Sequence, residues 1–396
     1  MEANKKSTTP QSAIPFWRDE RVLQILWQAL FVLGVAAFGY FLLNNMFAGL
    51  QKQGTVLGLS FLKLTSGFDI GEGLIEYSRN STYLRAFYVG LLNTLLVSFL
   101  GIVFATILGM ILGVARLSTN LIINRLAAVY LELIRNIPLL VFLIFWYTGV
   151  FLTLPRVRAA IILPGPVFLT NRGVAIPWGQ PTDTSGSYLW ILLAGLIVAG
   201  GAAYLMIRRG KQTGRAPMII FWIPLIWILI AIAGWFVLPQ APLKASLPII
   251  TGFNLGGGLV LSPEFMALLS ALVLYTAAFI GEVVRAGIQA VPPGQMEASR
   301  ALGLTTLQSL RLVVFPQALR LIIPPLTSQY LNLTKNSSLA VAIAYPDVFY
   351  VSNTIQNQTG RAVEMISLVM VVYLIFSLIT SVFMNWYNNR IQLAER

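Results

Sequence analysis

Long apolar runs alternate with shorter polar segments along most of this chain. A helix needs about 20 predominantly apolar residues to cross a bilayer. Runs of that size with few or no charges predict eight spans, and the pattern therefore predicts an all-α, polytopic membrane protein with about eight transmembrane helices. The runs cover about 22–43, 86–115, 126–152, 188–207, 217–238, 265–281, 321–345 and 367–387.

A polar stretch, residues 291–320, separates the sixth and seventh runs. Residues 295–302 predict a short helix that ends at Gly303, since glycine adopts the left-handed conformation of a helix C-terminus without strain. Thr305, with a glutamine three residues on, predicts a capping box that starts a second helix, which should run until Pro316. Its apolar positions predict a face that docks against another surface. They are Met296, Leu302, Leu304, Leu307 and Leu310.

The same stretch carries a spaced motif: Glu297-Ala298-Ser299, a glycine six positions after the glutamate, and a proline nineteen positions after it. This motif resembles the cytoplasmic coupling loop of ABC importer permeases, with Ser299 in place of a second alanine. In that family the loop inserts into a groove on a separate ATPase subunit. From the residues alone, an amphipathic helical hairpin lying on the membrane surface is the alternative. The resemblance implies a coupling role for Glu297, Ala298, Ser299, Gly303, Leu307 and Pro316.

Further segments are similar to the permeases of polar amino acid importers, the histidine/glutamate type. The similarity covers about 86–154 and 264–390, and the added helices resemble the long permeases of general L-amino-acid and glutamate/glutamine/aspartate/asparagine transporters. It implies an amino acid substrate, an ABC ATPase, a second and different permease chain, and a periplasmic amino-acid-binding protein. The segments that carry it are Gly90-Leu91-Leu92-Asn93-Thr94-Leu95, Glu132-Leu133-Ile134-Arg135-Asn136-Ile137-Pro138, Glu282-Val283-Val284-Arg285 and Lys335-Asn336-Ser337-Ser338.

The resemblance divides the chain into a five-helix permease core and three additional helices. We expect a cytoplasmic arm over 1–21, an extra helix and periplasmic loop over 22–85, the first part of the core over 86–154, an inserted periplasmic segment and transmembrane hairpin over 155–263, and the second part of the core, with the loop 291–320, over 264–390.

Composition and charge agree with a membrane protein. The chain is 57% hydrophobic and 10% charged, and its formal net charge is +13. Its lysines and arginines concentrate in the segments that an eight-span arrangement places inside, so we expect both termini to be cytoplasmic. The resemblance implies that the membrane is the bacterial inner membrane. The positive charge therefore predicts topology and contact with the lipid bilayer, not a nucleic-acid partner.

Two Glu-x-x-Arg pairs lie near the ends of apolar runs. Glu132 with Arg135, and Glu282 with Arg285, are three residues apart, so each pair shares a helix face and can neutralise itself. They are candidates for the translocation path. The alternative is that each ion pair only lets a helix end cross the membrane interface.

Polar groups also interrupt the apolar runs themselves. Lys335, Asn336 and Ser337 lie within the seventh run, where an ammonium group could attract the carboxylate of an amino acid. The alternative is that Lys335 pairs with a buried carboxylate or extends to the membrane surface. Ile137-Pro138 should break or kink the third span.

The residue types leave little room for chemistry on this chain. It has no histidine and no cysteine, and it lacks the phosphate loop of an ATPase, so we expect no catalytic site, no metal and no cofactor. The resemblance implies a separate subunit for ATP hydrolysis. The sequence predicts a transport subunit rather than an enzyme. The two alternatives are an ion-coupled secondary amino acid transporter and a membrane-embedded enzyme.

Overall fold

A computed structural model describes residues 20–52, 58–213 and 218–391. The arm predicted over 1–21 lies outside the described residues, except for its last two. The chain forms two structural units, residues 1–61 and 62–396. Within the described residues the α-helices, in chain order, are α1 (Glu20–Lys52), α2 (Tyr83–Ala115), α3 (Leu121–Arg135), α4 (Leu139–Ile144), α5 (Ser185–Thr213), α6 (Ile219–Val237), α7 (Pro263–Gln289), α8 (Pro293–Ala301), α9 (Thr306–Ser309), α10 (Phe315–Asn336), α11 (Val348–Thr359) and α12 (Ala362–Ile391).

Six helical segments of the described chain are long and apolar enough to cross a membrane, and a bent pair brings the number to seven if it is one span. The remaining predicted run, 217–238, contains α6, whose apolar stretch Phe221–Val237 is shorter. The all-α membrane architecture is confirmed by these spans. The count of eight stays a prediction.

The bent pair is α3 and α4, which meet at an angle of 106°. Pro138 stands between them in an extended conformation, with φ −60° and ψ 133°. Proline disfavours helical geometry in the residue before it and has no N–H to donate. The predicted break at Ile137-Pro138 is therefore confirmed, and a π-helical turn, Phe145–Phe151, follows α4.

The core of the second unit forms where α2 and α7 pack closely. A Cβ atom at Gly109 would lie 2.5 Å from Cγ2 of Ile280, and one at Gly113 would lie 2.7 Å from the carbonyl oxygen of Gly281. Small residues four apart let two membrane helices approach at backbone distance. Because these glycines leave no gap, α2 and α7 form the centre of this unit; α10 packs on α7, and α12 packs on α10 and α11.

On either side of the hairpin that α5 and α6 form, the inserted segment contains short antiparallel strands. A four-stranded sheet has the order β1-β2-β3-β8, and β4-β5 and β6-β7 form two-stranded sheets. Strands of three or four residues are too short to show a clear alternation, so the pattern gave no signal for them. The strands are β1 (Ile161–Leu163), β2 (Val167–Thr170), β3 (Gly173–Ile176), β4 (Trp178–Pro181), β5 (Leu243–Ser246), β6 (Ile249–Thr251), β7 (Asn254–Gly256) and β8 (Leu259–Leu261).

The sheets join the two sides of the hairpin that α5 and α6 form. Ala175 of β3 pairs with Val260 of β8, and Pro181 of β4 pairs with Leu243 of β5. The chain therefore leaves the sheets, forms the hairpin and returns to the strand beside the one it left.

Candidate functional site

The stretch 291–320 contains the turn at Gly303 that the sequence predicts, after α8. Gly303 has a φ of +82°, in the left-handed region. Its N–H donates to the carbonyl of Arg300 at 2.9 Å, and the N–H of Leu304 donates to that of Ser299 at 3.2 Å. These bonds satisfy carbonyls that the end of α8 leaves open. The glycine thus closes α8 and redirects the chain.

The predicted capping box is confirmed at the start of α9. The hydroxyl of Thr305 accepts from the backbone N–H of Gln308 at 3.3 Å, and the side chain of Gln308 accepts from the backbone N–H of Thr305 at 2.9 Å. Both bonds satisfy donors that a helix start otherwise leaves open. The two short helices of the loop are therefore specified by local residues.

The prediction that this second helix runs only until Pro316 is wrong. The chain stays helical through a π-helical turn, Leu310–Val314, into α10, and Pro316 lies in the first turn of α10. Proline in a helix interior loses the hydrogen bond to the residue four before it and clashes with that carbonyl. The wider π turn changes the hydrogen-bonding register just before the proline. The part of the stretch that follows Thr305 and the next span therefore form one continuous helical segment, Thr306–Ile343.

The apolar positions of the loop divide into an anchored set and an exposed set. Met296 packs on a buried cluster that includes Val291 and Val314. Leu302 is 82% exposed and Leu307 is 76% exposed. We call Glu297, Leu302 and Leu307 the exposed loop face; the glutamate is also exposed.

The small residue after Glu297-Ala298 has a structural reason. Ser299 is buried, and its hydroxyl donates to the carbonyl of Met296 at 2.8 Å. Ser299 therefore faces the interior of the protein, whereas Ala298 is exposed. The loop is therefore held from beneath and presents its charged and apolar side chains outward.

The charged residues near this end of the bundle are paired differently from the prediction. Arg285 donates from Nε to both carboxylate oxygens of Glu282 at 3.1 Å, as expected. Arg135 lies 4.0 Å from Glu282 and 5.6 Å from the ring centre of Phe279 on α7. Glu132 is exposed and has no ion pair within the described ranges, so the expected Glu132–Arg135 pair is wrong. Because α3 lies beside α7, the arginine reaches across to the other helix.

Lys335, Asn336 and Ser337 lie where α10 passes into a 3₁₀ turn, Ser337–Ile343. Ser337 is buried and donates to the carbonyl of Thr334 at 2.7 Å, so its hydroxyl serves the helix end. Lys335 is exposed and Asn336 is half-buried. The lysine therefore faces away from the chain's own core, which leaves its ammonium group accessible to whatever lies beside this surface.

The opposite end of the bundle contains a polar junction that sequence reasoning missed as a site. Asn93 on α2 donates from Nδ2 to the carbonyls of Glu72 and Pro346, each at 3.0 Å. Thr94 accepts from the N–H of Val348, the first residue of α11, at 2.9 Å. The carboxylate of Glu72 accepts from the hydroxyl of Ser262, the N-cap of α7. These residues, together with Gly90, form the far-end junction; the Gly-x-x-Asn-Thr spacing on α2 was its only sequence signal.

Two carboxyl groups at this end of the bundle have raised pKa values: Glu72 of the far-end junction and Asp347, the N-cap residue of α11. Burial raises the pKa of Asp347 to about 7, although its carboxylate caps α11 by accepting from the N–H of Tyr350 at 2.8 Å. Burial is also the main cause that raises the pKa of Glu72 above its usual value, opposed by its bond to Ser262. Both groups are thus held without a cation recorded beside them in the described structure.

A cavity of about 700 Å³ opens beside this junction. We call it the far-end cavity. Its charged lining residues are Asp69, Glu72, Arg172 and Glu264, and its other walls come from α11 and the chain before it. The carboxylate of Glu264 accepts from the hydroxyl of Tyr147 at 2.8 Å.

Comparison with known proteins gives a family and full-length relatives. Residues 191–393 match the family model described as "Binding-protein-dependent transport system inner membrane component". The chain is 44% identical to the general L-amino acid transport system permease of Rhizobium johnstonii, over 96% of this chain and 94% of that protein. It is 46% identical to a putative amino-acid ABC transporter permease of Escherichia coli K12, over 94% of each.

Among solved structures, the chain is similar to one described as an amino acid ABC transporter with histidines. The TM-score is 0.46 and the identity 23%, and the match covers 78% of this chain and 95% of the other.

Proposed function

The chain belongs to the inner membrane components of binding-protein-dependent transport systems, the permease subunits of ABC importers, and from that premise we propose that it carries L-amino acids across the bacterial inner membrane. The single observation that carries this proposal is the extent of the similarity. The relatives of Rhizobium johnstonii and Escherichia coli match 96% and 94% of the chain, so the match extends beyond the core to the added helices and the sheets. Both relatives are named as permeases of amino acid systems.

The exposed loop face is the proposed contact with a separate ABC ATPase. Leu302 and Leu307 are more than three-quarters exposed, while the base of the loop is fixed by buried Val291 and Val314. Exposed leucines on a rigid support favour docking into a groove on another protein. In this proposal Glu297, Ala298, Gly303 and Pro316 shape the contact, and Ser299 anchors it from within.

The proposed orientation follows from the loop. If residues 291–320 are cytoplasmic, the far-end junction faces the periplasm, where a periplasmic amino-acid-binding protein delivers the substrate. Arg208 and Arg209 at the end of α5 then lie inside, in agreement with the preference of cytoplasmic segments for positive charge. Both termini are cytoplasmic in this arrangement.

The proposed pathway lies between this chain and a second, different permease. Lys335 is exposed at the end of α10 and can face that partner, with Asn336 and Ser337 beside it. At the coupling end, Glu282 with Arg285 and Arg135 forms a charged group that crosses from α7 to α3, and Glu132 stands one turn away on α3. We place both groups on the translocation path.

Reconstitution tests this proposal. The complete importer in proteoliposomes should take up labelled L-amino acids only with ATP on the side of the ATPase and the binding protein on the other. Uptake driven by an ion gradient without ATP would contradict the proposal. A panel of labelled amino acids would then define which substrates the system accepts.

A further inference from the structure

The far-end cavity is built from parts of the chain that are distant in sequence. Residues 68–72 form one wall, the turn between β2 and β3 contributes Asn171 and Arg172, and the starts of α7 and α11 close the rest. Its volume of about 700 Å³ lies within the roughly 300–1,000 Å³ of small-molecule sites. The N-terminal loop and the sheets lie outside the expected core. The cavity therefore forms where the added segments meet the expected core.

The walls of this cavity carry both signs of charge. Glu264 uses one carboxylate oxygen to accept from Tyr147, and its other oxygen has no partner among the residues that the structure describes. Glu72, whose carboxylate accepts from Ser262, is half-buried and lines the same cavity. Arg172 donates from one terminal nitrogen to Asn254, which leaves its other N–H groups without a described partner. One cavity thus contains a carboxylate oxygen that can accept a hydrogen bond and guanidinium N–H groups that can donate one.

We propose that the far-end cavity is an entry site for zwitterionic amino acids. The ammonium group of the ligand binds Glu264 and Glu72, and its carboxylate binds Arg172, for which the planar guanidinium is suited. Because these contacts use only the groups that all amino acids share, the site accepts different side chains, which lie toward Phe68 and Tyr350. This inference rests on the proposed function and adds a binding site to it.

Substrate protection of a cysteine tests the site directly. Thr354 lines the cavity and is half-buried, and the chain has no native cysteine. In the complete permease–ATPase complex without binding protein, L-alanine should slow the reaction of Thr354→Cys with a membrane-impermeant maleimide several-fold. Propionate and ethylamine, which each retain only one charged group, should not slow it. Asn357→Cys, exposed on the same helix and outside the cavity lining, is the matched control and should react at an unchanged rate.

Charge variants separate recognition from simple obstruction. Glu264→Gln keeps an acceptor for Tyr147 but removes the charge, and Arg172→Gln removes the guanidinium; each should abolish protection by L-alanine. Glu76→Gln and Arg156→Gln, both at exposed positions outside the cavity lining, should preserve it. Co-purification of the ATPase verifies that each variant assembles.

The outcomes distinguish this inference from the proposed function. Absence of protection by L-alanine in a complex that still takes up amino acids overturns the entry site and leaves the function standing. Equal protection by propionate or ethylamine overturns the recognition of a zwitterion. Protection in a complex that imports no amino acid supports the site and counts against the proposed function.

Discussion

Gly90 lies against the backbone of Asp347 at a distance that leaves no room for a side chain. A Cβ atom at position 90 would be 2.9 Å from the carbonyl oxygen of Asp347. The neighbour is backbone, which cannot rotate away, so α2 or α11 must move to admit a methyl group. The close packing of α11 against α2 therefore requires a glycine at position 90.

Gly90→Ala should push α2 and α11 apart and destabilise the protein. Overpacking of a close contact typically costs about 1–3 kcal/mol, so the thermal midpoint of the purified permease should fall. Gly186→Ala is the control, because a Cβ there meets nothing within 4 Å. An unchanged thermal midpoint for Gly90→Ala, measured beside that control, would contradict this prediction, because it would show that α2 and α11 accommodate the methyl group without loss of stability.

Variants of the exposed loop face should uncouple transport. Glu297→Lys reverses a charge at the proposed contact, and Gly303→Asp places a side chain at φ +82°, where non-glycine residues cost roughly 1–2 kcal/mol. Both should abolish ATP-driven uptake while the permease remains inserted in the membrane. Glu76→Lys makes the same change at an exposed position that is distant in sequence from the loop, and this variant should transport normally. Normal uptake by both loop variants, at wild-type expression, would end the coupling proposal.

The orientation of the α5–α6 hairpin is open to labelling. Gln212 lies in the last turn of α5. The chain has no native cysteine, so a cysteine introduced at this position is the only one that can react. A cysteine at position 212 should react with a membrane-impermeant maleimide only after the cells are opened. Reaction in intact cells, from the periplasmic side, would invert the proposed topology.

Lys335→Met should separate substrate handling from assembly. Methionine keeps the length and apolar packing of the lysine but removes its charge. Complex assembly and ATP hydrolysis stimulated by the binding protein should persist, while uptake falls about tenfold, the equivalent of about 1.4 kcal/mol. Lys244→Met, at an exposed position in β5, serves as the control. Wild-type uptake kinetics in Lys335→Met would remove the lysine from the pathway.

Stability should depend on pH through Asp347. Its pKa is raised from 3.8 to about 7 in the folded protein, so the fold favours the protonated carboxyl. This contribution is complete below the unfolded pKa and is lost as the pH rises through 7. The wild-type thermal midpoint should therefore fall between pH 5 and pH 8 by more than that of Asp347→Asn, which keeps an acceptor for the cap.

The exposed Asp183 provides the comparison for that experiment. Asp183→Asn should retain the wild-type pH dependence. If Asp347→Asn shows the same fall as the wild type, other groups, such as the half-buried Glu72, determine the pH response.

Local signals in the sequence were sufficient for the loop. Gly303 and the Thr305–Gln308 box act within three or four residues, so their structure follows from the adjacent chain. The prediction that the helix ends at Pro316 was wrong because the rule against proline in a helix assumes regular α-helical hydrogen bonds. The π turn before Pro316 changes those bonds.

Contacts between distant residues could not be read in the same way. Arg135 turns from Glu132 toward Glu282 because α3 lies beside α7, a neighbour that no spacing on α3 announces. The bond from Asn93 to Pro346 joins residues 253 positions apart. Such partners depend on packing between elements that are distant in sequence, so the far-end cavity, which Pro346 lines, could not be predicted from the sequence.

The pairing of β4 with β5 closes the base of the hairpin that α5 and α6 form. The N–H of Thr182 donates to the carbonyl of Pro242 at 3.1 Å, so the two points where the hairpin departs and returns are adjacent. Directly opposed strand residues are only about 4.5–5.5 Å apart, a gap that a tight turn can bridge. The α5–α6 hairpin is thus a side branch that is closed at its own base, so a change in its length leaves the register of β4 and β5 unaltered.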